Sequence, residues 1–176
     1  GKVNNLQQYA EEQDIRGTIG IGHTRWATHG VPNDRNAHPH ISNSGRFAII
    51  HNGIIENYSS LKEQLTKRGY NFHSDTDTEV LINLIEEIQK QEHVALEDAV
   101  RIALNEVIGA YAIVVVDKED NNTLIAARKG SPLVVGVGQD EFFIASDASP
   151  IIEYTKNVVY LDDQEYVVVT RDGKMQ

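Results

Sequence analysis

Eight consecutive residues, His23-Thr24-Arg25-Trp26-Ala27-Thr28-His29-Gly30, hold the single tryptophan of the chain together with an arginine, two histidines and two threonines. The planar fork of Arg25 matches the two oxygens of a carboxylate, so this stretch is suited to clamping a small acid. A purely structural role, Arg25 paired with one of the 26 acidic residues, competes on charge alone. Trp26 suits either a core position or a lid. The apolar run Thr18-Ile19-Gly20-Ile21-Gly22 reads as a strand leading into the loop. Polar and aromatic groups at the end of a buried strand are a common setting for a small-molecule site.

Three further groups carry chemistry. Asn52-Gly53 follows the apolar run Phe47-Ala48-Ile49-Ile50. A side-chain amide beside a glycine N–H offers two donors for a developing oxyanion, while the same pair also reads as a tight turn ending a strand. Asp75 and Asp77 suit a cation or an ammonium group, and equally a helix cap together with Thr76. His38 and His40 flank Pro39, and His23 and His29 lie nearby in sequence. That spacing matches no zinc pattern, so hydrogen-bonded structural histidines are expected and no metal. Lys129-Gly130-Ser131-Pro132 lacks phosphate-loop glycine spacing and reads as a hairpin turn. Ser146-Asp147 lacks the elbow of a serine nucleophile.

The elements around these groups follow from periodicity. Val3–Gln13 reads as a short helix. A helix through Leu61 and Leu65, capped by Asn57 or Ser59, ends at Gly69. Val80, Leu81, Leu84, Ile85 and Ile88 form one face of the next helix, and Leu96 to Val107 form another. The period then changes to that of strands: Tyr111–Asp117, Thr123–Arg128, Pro132–Val137, Glu141–Ala145, Val158–Leu161 and Glu165–Thr170, with a helical turn at Ser149-Pro150. This order predicts an α+β fold with antiparallel sheets and a helical layer.

The length of 176 residues suits one domain with a sizeable core. The net charge of -10 argues against non-specific nucleic-acid binding, and no apolar run is long enough to cross a bilayer. Such acidity is common in the cytoplasm. With no cysteine, the chain contains neither a disulfide nor a thiol nucleophile.

Taken together, Gly22 to Gly30, Asn36-Ala37-His38-Pro39-His40, His51 to Asn57 and Ser74 to Val80 resemble the glutaminase domain of the glucosamine-6-phosphate synthases. These are the isomerising glutamine–fructose-6-phosphate aminotransferases. Weaker matches at Ala127–Leu133 and Ile144–Asp147 follow in the same order. The resemblance implies a four-layer αββα sandwich of the N-terminal-nucleophile hydrolase type. It implies hydrolysis of the glutamine side-chain amide without a cofactor, the ammonia passing to a sugar-phosphate-isomerase domain of the same polypeptide. Arg25, aided by Thr28 and His29, would hold the glutamine α-carboxylate and Asp77 the α-ammonium. Asn52 and Gly53 would form the oxyanion hole, and Trp26 the lid. The family's nucleophile is an N-terminal cysteine, whereas residue 1 here is glycine. The resemblance therefore implies a single partial domain over residues 1–176 that lacks the opening segment and is inactive alone. Unpaired sheet edges would favour a homo-oligomer. The glutaminase domain of another class II amidotransferase, serving purine or asparagine synthesis, shares part of the pattern. A non-catalytic glutamine-binding module is the alternative from another class.

Overall fold

A computed structural model describes residues 2–176. The chain runs α1 (Val3–Glu12), β1 (His40–Ile41), β2 (Phe47–Ile55), α2 (Tyr58–Lys67), α3 (Asp77–Glu92), α4 (Leu96–Glu106), β3 (Gly109–Asp117) and β4 (Asp120–Lys129). It continues through β5 (Val134–Val137), β6 (Phe142–Ala145), β7 (Val158–Tyr160) and β8 (Tyr166–Thr170). One sheet has the order β1-β2-β3-β4-β8 and a smaller one the order β6-β5-β7, with every strand pair antiparallel.

Strand alternation explains how the layers stack. Phe47, Ile49, Ile113, Val115 and Ile125 turn one face of the large sheet toward Leu81, Ile85, Val100 and Ala103 of the helices. The opposite face, through Ala112, Val114, Ala126, Val167 and Val169, packs on Leu133 and Val135 of the small sheet. β3 is buried on both faces, which is why Ala112–Val116 is an unbroken apolar run. Beyond the small sheet, Ile151 and Thr155 sit against Gly136, on a helical turn held by the Ile152 and Thr155 N–H groups. The fold is α+β: helices, sheet, sheet, and a fourth layer that amounts to this turn among the described residues.

Several sequence expectations are corrected. Thr18–Gly22 forms no strand. Ile21 packs on the core between the sheets, but no described strand pairs with this glycine-rich segment. β2 does not stop at Ile50; it continues to Ile55, in register with β3 from Phe47↔Asp117 to Ile55↔Gly109. Asn52-Gly53 is thus strand interior and not a turn. Neither Asn57 nor Ser59 caps α2 with its side chain. Asn57 instead donates to the Glu106 carbonyl and accepts from the Ile108 N–H, tying α2 to the end of α4. Lys129–Pro132 is not a hairpin, because β4 and β5 belong to different sheets and this segment crosses between them.

Candidate active site

The N-terminus of α3, the free edge of β2 and the loop from His23 to Gly30 enclose a cavity of about 230 Å³. Thr76 is the α3 N-cap, its hydroxyl accepting from the Glu79 N–H at 3.3 Å. That cap sets Asp77 at the first helical position, where the helix dipole favours a carboxylate. Asp77 Oδ2 accepts from the Ile55 N–H at 2.8 Å, and Oδ1 lies 3.6 Å from His29 Nδ1. Asp77 is 2% exposed, and its carboxylate has no lysine or arginine partner among the described residues. A buried carboxylate without a cation leaves a strong preference for one at the cavity wall.

Arg25 lines the same cavity. Its backbone is left-handed, φ 52°. The guanidinium donates to the carbonyls of His29 at 2.7 Å, Gly30 at 3.2 Å and Val31 at 3.3 Å. It makes none of the salt bridges weighed from charge, and Nε–H and one Nη1–H have no partner among the described residues. Trp26 is not a core residue: at 91% exposure it stands at the cavity mouth. Thr28 is exposed on the rim, and His29 is half-buried with its ring edge-on to Tyr58.

β1 covers β2 only as far as Ala48 and Ile49, so the following edge of β2 is open. N–H groups alternate sides along a strand. Because the Ile55 N–H leaves this edge toward Asp77, the Gly53 N–H, two residues earlier, lies on the same edge. Asn52 and Gly53 both line the cavity. The Asn52 side-chain oxygen accepts from His23 Nε2 at 2.6 Å, leaving its NH₂ as a donor. A second cavity of about 360 Å³ adjoins at His23 and Asn52 and runs between the sheets past Ile50, Val114 and Leu133.

Asp75, weighed beside Asp77, is not in the cavity. It faces outward and pairs with Arg35 at 2.6 Å, which holds its carboxyl below the usual range. Its N–H is taken by Asn36, which also packs beneath Gly30.

Histidines form the floor, in a way residue spacing does not reveal. His38 Nε2 and His51 Nδ1 lie 3.1 and 3.0 Å from the Thr78 hydroxyl, and His40 Nε2 lies 3.0 Å from that of Thr76. Thr78 and Thr76 lie up to 40 residues away from these rings, and no local pattern links them. The one usable signal is that both threonines open a helix. Burial, then the neighbouring His23, His40 and His51, pushes His38 down from 6.5 to about 3. Burial also lowers His40, against Glu79 and Asp77, and His51, against Asp77. The unfolded chain therefore takes up protons near pH 6.5 that the folded chain refuses. Stability is full above about pH 7 and falls as the pH drops through 6.5 toward the depressed values. His38 by itself removes about 1 kcal/mol by pH 5, its partial exposure reducing the full linkage value. The urea midpoint should fall between pH 7 and pH 5, before most carboxylates titrate; a constant midpoint over that window would contradict the buried neutral imidazoles.

Residues 10–171 match the glutamine amidotransferase domain. The chain belongs to that family. The amidotransferase domain is 59% identical, over its whole length, to the glutamine–fructose-6-phosphate aminotransferase (isomerising) of Bacteroides thetaiotaomicron. It is 57% identical over 98% of its length to the enzyme of that name from Chlorobaculum tepidum. It spans 29% of the length of each. Among solved structures, glutamine phosphoribosylpyrophosphate amidotransferase from B. subtilis is 28% identical with a TM-score of 0.79. A structure described as the allosteric regulatory enzyme of purine biosynthesis is 28% identical with a TM-score of 0.82. Each covers the whole amidotransferase domain, which spans 38% of that chain. The α+β sandwich is of the N-terminal-nucleophile hydrolase type.

Proposed function

We propose that this domain binds L-glutamine and forms the glutamine-handling part of an isomerising glutamine–fructose-6-phosphate aminotransferase. One observation carries the reading: one small cavity is lined by both Arg25 and Asp77, whose buried carboxylate has no lysine or arginine partner among the described residues. A free amino acid offers one carboxylate and one ammonium, and such a site answers both. Arg25, with Thr28 and His29, holds the α-carboxylate, and Asp77 holds the α-ammonium. The side-chain amide then reaches the edge of β2, where the Asn52 NH₂ and the Gly53 N–H receive the oxyanion. One such donor is worth roughly 100- to 1000-fold in rate. Trp26 covers the bound ligand. In the complete reaction a thiol adds to the amide carbon, its proton passes to the amide nitrogen as the C–N bond breaks and ammonia leaves, and water releases glutamate from the thioester and restores the thiol. The thiol comes from outside these 176 residues, as does the sugar-phosphate-isomerase domain that takes the ammonia. The curated relatives' names favour this enzyme over its purine counterparts, and an oligomeric, cytoplasmic state fits the open edges of both sheets and the acidic charge.

Calorimetry on the purified chain should show stoichiometric binding of L-glutamine and none of D-glutamine. An assay for glutamate should show no release. Equal affinity for both enantiomers would overturn the carboxylate–ammonium assignment. Glutamate formation by the pure chain would overturn the external thiol.

A further inference from the structure

His23 lines the cavity, yet the glutamine reading gives it no task. Resting on that reading, we propose that His23 is the positioning residue that ties the Arg25 loop to the oxyanion donor Asn52.

The Arg25 N–H is a donor in every state of the protein, and it points at His23 Nδ1 at 2.9 Å. Nδ1 therefore carries a lone pair, and in a neutral imidazole the proton resides on Nε2. Nε2–H lies 2.6 Å from the Asn52 carboxamide and donates to it. Only the carboxamide oxygen can accept, so the bonding chain assigns the Asn52 orientation, which atom positions alone do not settle. Its NH₂ is left to face the ligand. With the carboxamide flipped, the oxygen would face the developing oxyanion and repel it. His23 thus sets the sign of the dipole at that point. The ring is held for this role: it stacks on His38 with centroids 4.3 Å apart and planes 24° apart, and His38 is itself bonded to Thr78.

The same imidazole accepts from the one residue of the loop with a left-handed backbone other than Gly30. Non-glycine residues enter that conformation at a cost, so a fixed acceptor for the Arg25 N–H helps to hold it. Seating the carboxylate clamp and orienting the oxyanion donor therefore become one event.

Two measurements decide the matter. Long-range ¹H–¹⁵N spectra of the full chain above pH 7 should show His23 with an unprotonated Nδ1 and a protonated Nε2. The opposite tautomer, or exchange between the two, overturns the proposal whether or not glutamine binds. Binding of L-glutamine is then compared with that of L-norvaline, which lacks the carboxamide, in two variants. His23→Asn keeps an acceptor near the Nδ1 position but cannot reach Asn52. It should leave norvaline affinity within about twofold and weaken glutamine about five- to tenfold, the typical loss of one hydrogen bond. His23→Gln keeps a donor near Nε2 but not the acceptor, and should weaken both ligands while preserving their ratio. A ratio unchanged in both variants, or lost only in His23→Gln, overturns the link. If the unmodified chain binds neither amino acid, the glutamine reading fails, and the tautomer measurement alone decides the coupling of His23 to Asn52.

Discussion

Gly53→Ala is expected to lower stability by about 3 kcal/mol and to abolish ligand binding at the β2 edge. Gly53 has φ 117°, which a side chain adopts only with strain. A Cβ there would lie 2.2 Å from the Ala110 carbonyl oxygen, 2.7 Å from its carbon and 3.1 Å from Ser131 Oγ. The carbonyl cannot retreat, because Ala110 is laddered to Ile54. Gly109 on the facing strand repeats the problem, its added Cβ meeting the Ile54 oxygen at 2.1 Å. Each strand therefore contributes one glycine where the other's backbone comes close, Gly53 opposite Tyr111 and Gly109 opposite Ile55. Left-handed strain contributes about 1–2 kcal/mol and overpacking about 1–3 kcal/mol. For a chain of this size a 3 kcal/mol loss lowers the melting temperature by about 6–12 °C. Gly69→Ala supplies the control, since its φ is 93° but its Cβ meets nothing within 4 Å; it should lose only the strain. A Gly53→Ala melting temperature as high as that of Gly69→Ala would sink the close-approach argument.

Asp77→Asn should weaken L-glutamine binding about 10- to 150-fold, the range of a hydrogen bond to a charged group, with little change in stability. The substitution preserves shape, and an amide oxygen still accepts from the Ile55 N–H. The negative charge is lost, and with it about 0.3–1 kcal/mol from the α3 dipole, offset by relief of carboxylate burial. The discriminating ligand is deaminated glutamine, 5-amino-5-oxopentanoate, which has no ammonium. Its affinity should not fall in the variant. Parallel losses for both compounds would show that Asp77 shapes the cavity without holding the ammonium.

Most of the fold was legible in the chain, and for a local reason. The helices over 77–92 and 96–106 and the strands of the second half announce themselves through apolar spacing, because period 3.6 and period 2 are local properties. Elements that depend on partners were not legible. Thr18–Gly22 has strand-like composition, but a strand exists only where another offers its ladder. Asn52-Gly53 looks like a turn because that pair favours φ > 0; nine residues of pairing with β3 keep it inside a strand, where Gly53 retains a positive φ of 117° and serves close approach. Trp26 has the composition of a core residue, and nothing near it in sequence says that the loop presents it to solvent.

The site divides the same way. Arg25, Asn52, Gly53 and the pair Asp75 and Asp77 were nameable from residue type and neighbours, since a fork for a carboxylate, acids at a helix start and an amide beside a glycine each carry their chemistry locally. It is the fold that turns Asp75 out to Arg35 and Asp77 into the cavity. What the folded chain added was contact across 22 to 40 residues: Asp77 on Ile55, His23 on Asn52, Thr78 between His38 and His51. Those contacts turn separate polar groups into a cavity with one cation, one buried anion and an oriented amide. Residue types can list such groups, but distance along the chain does not encode distance in space, so their convergence belongs to the tertiary structure.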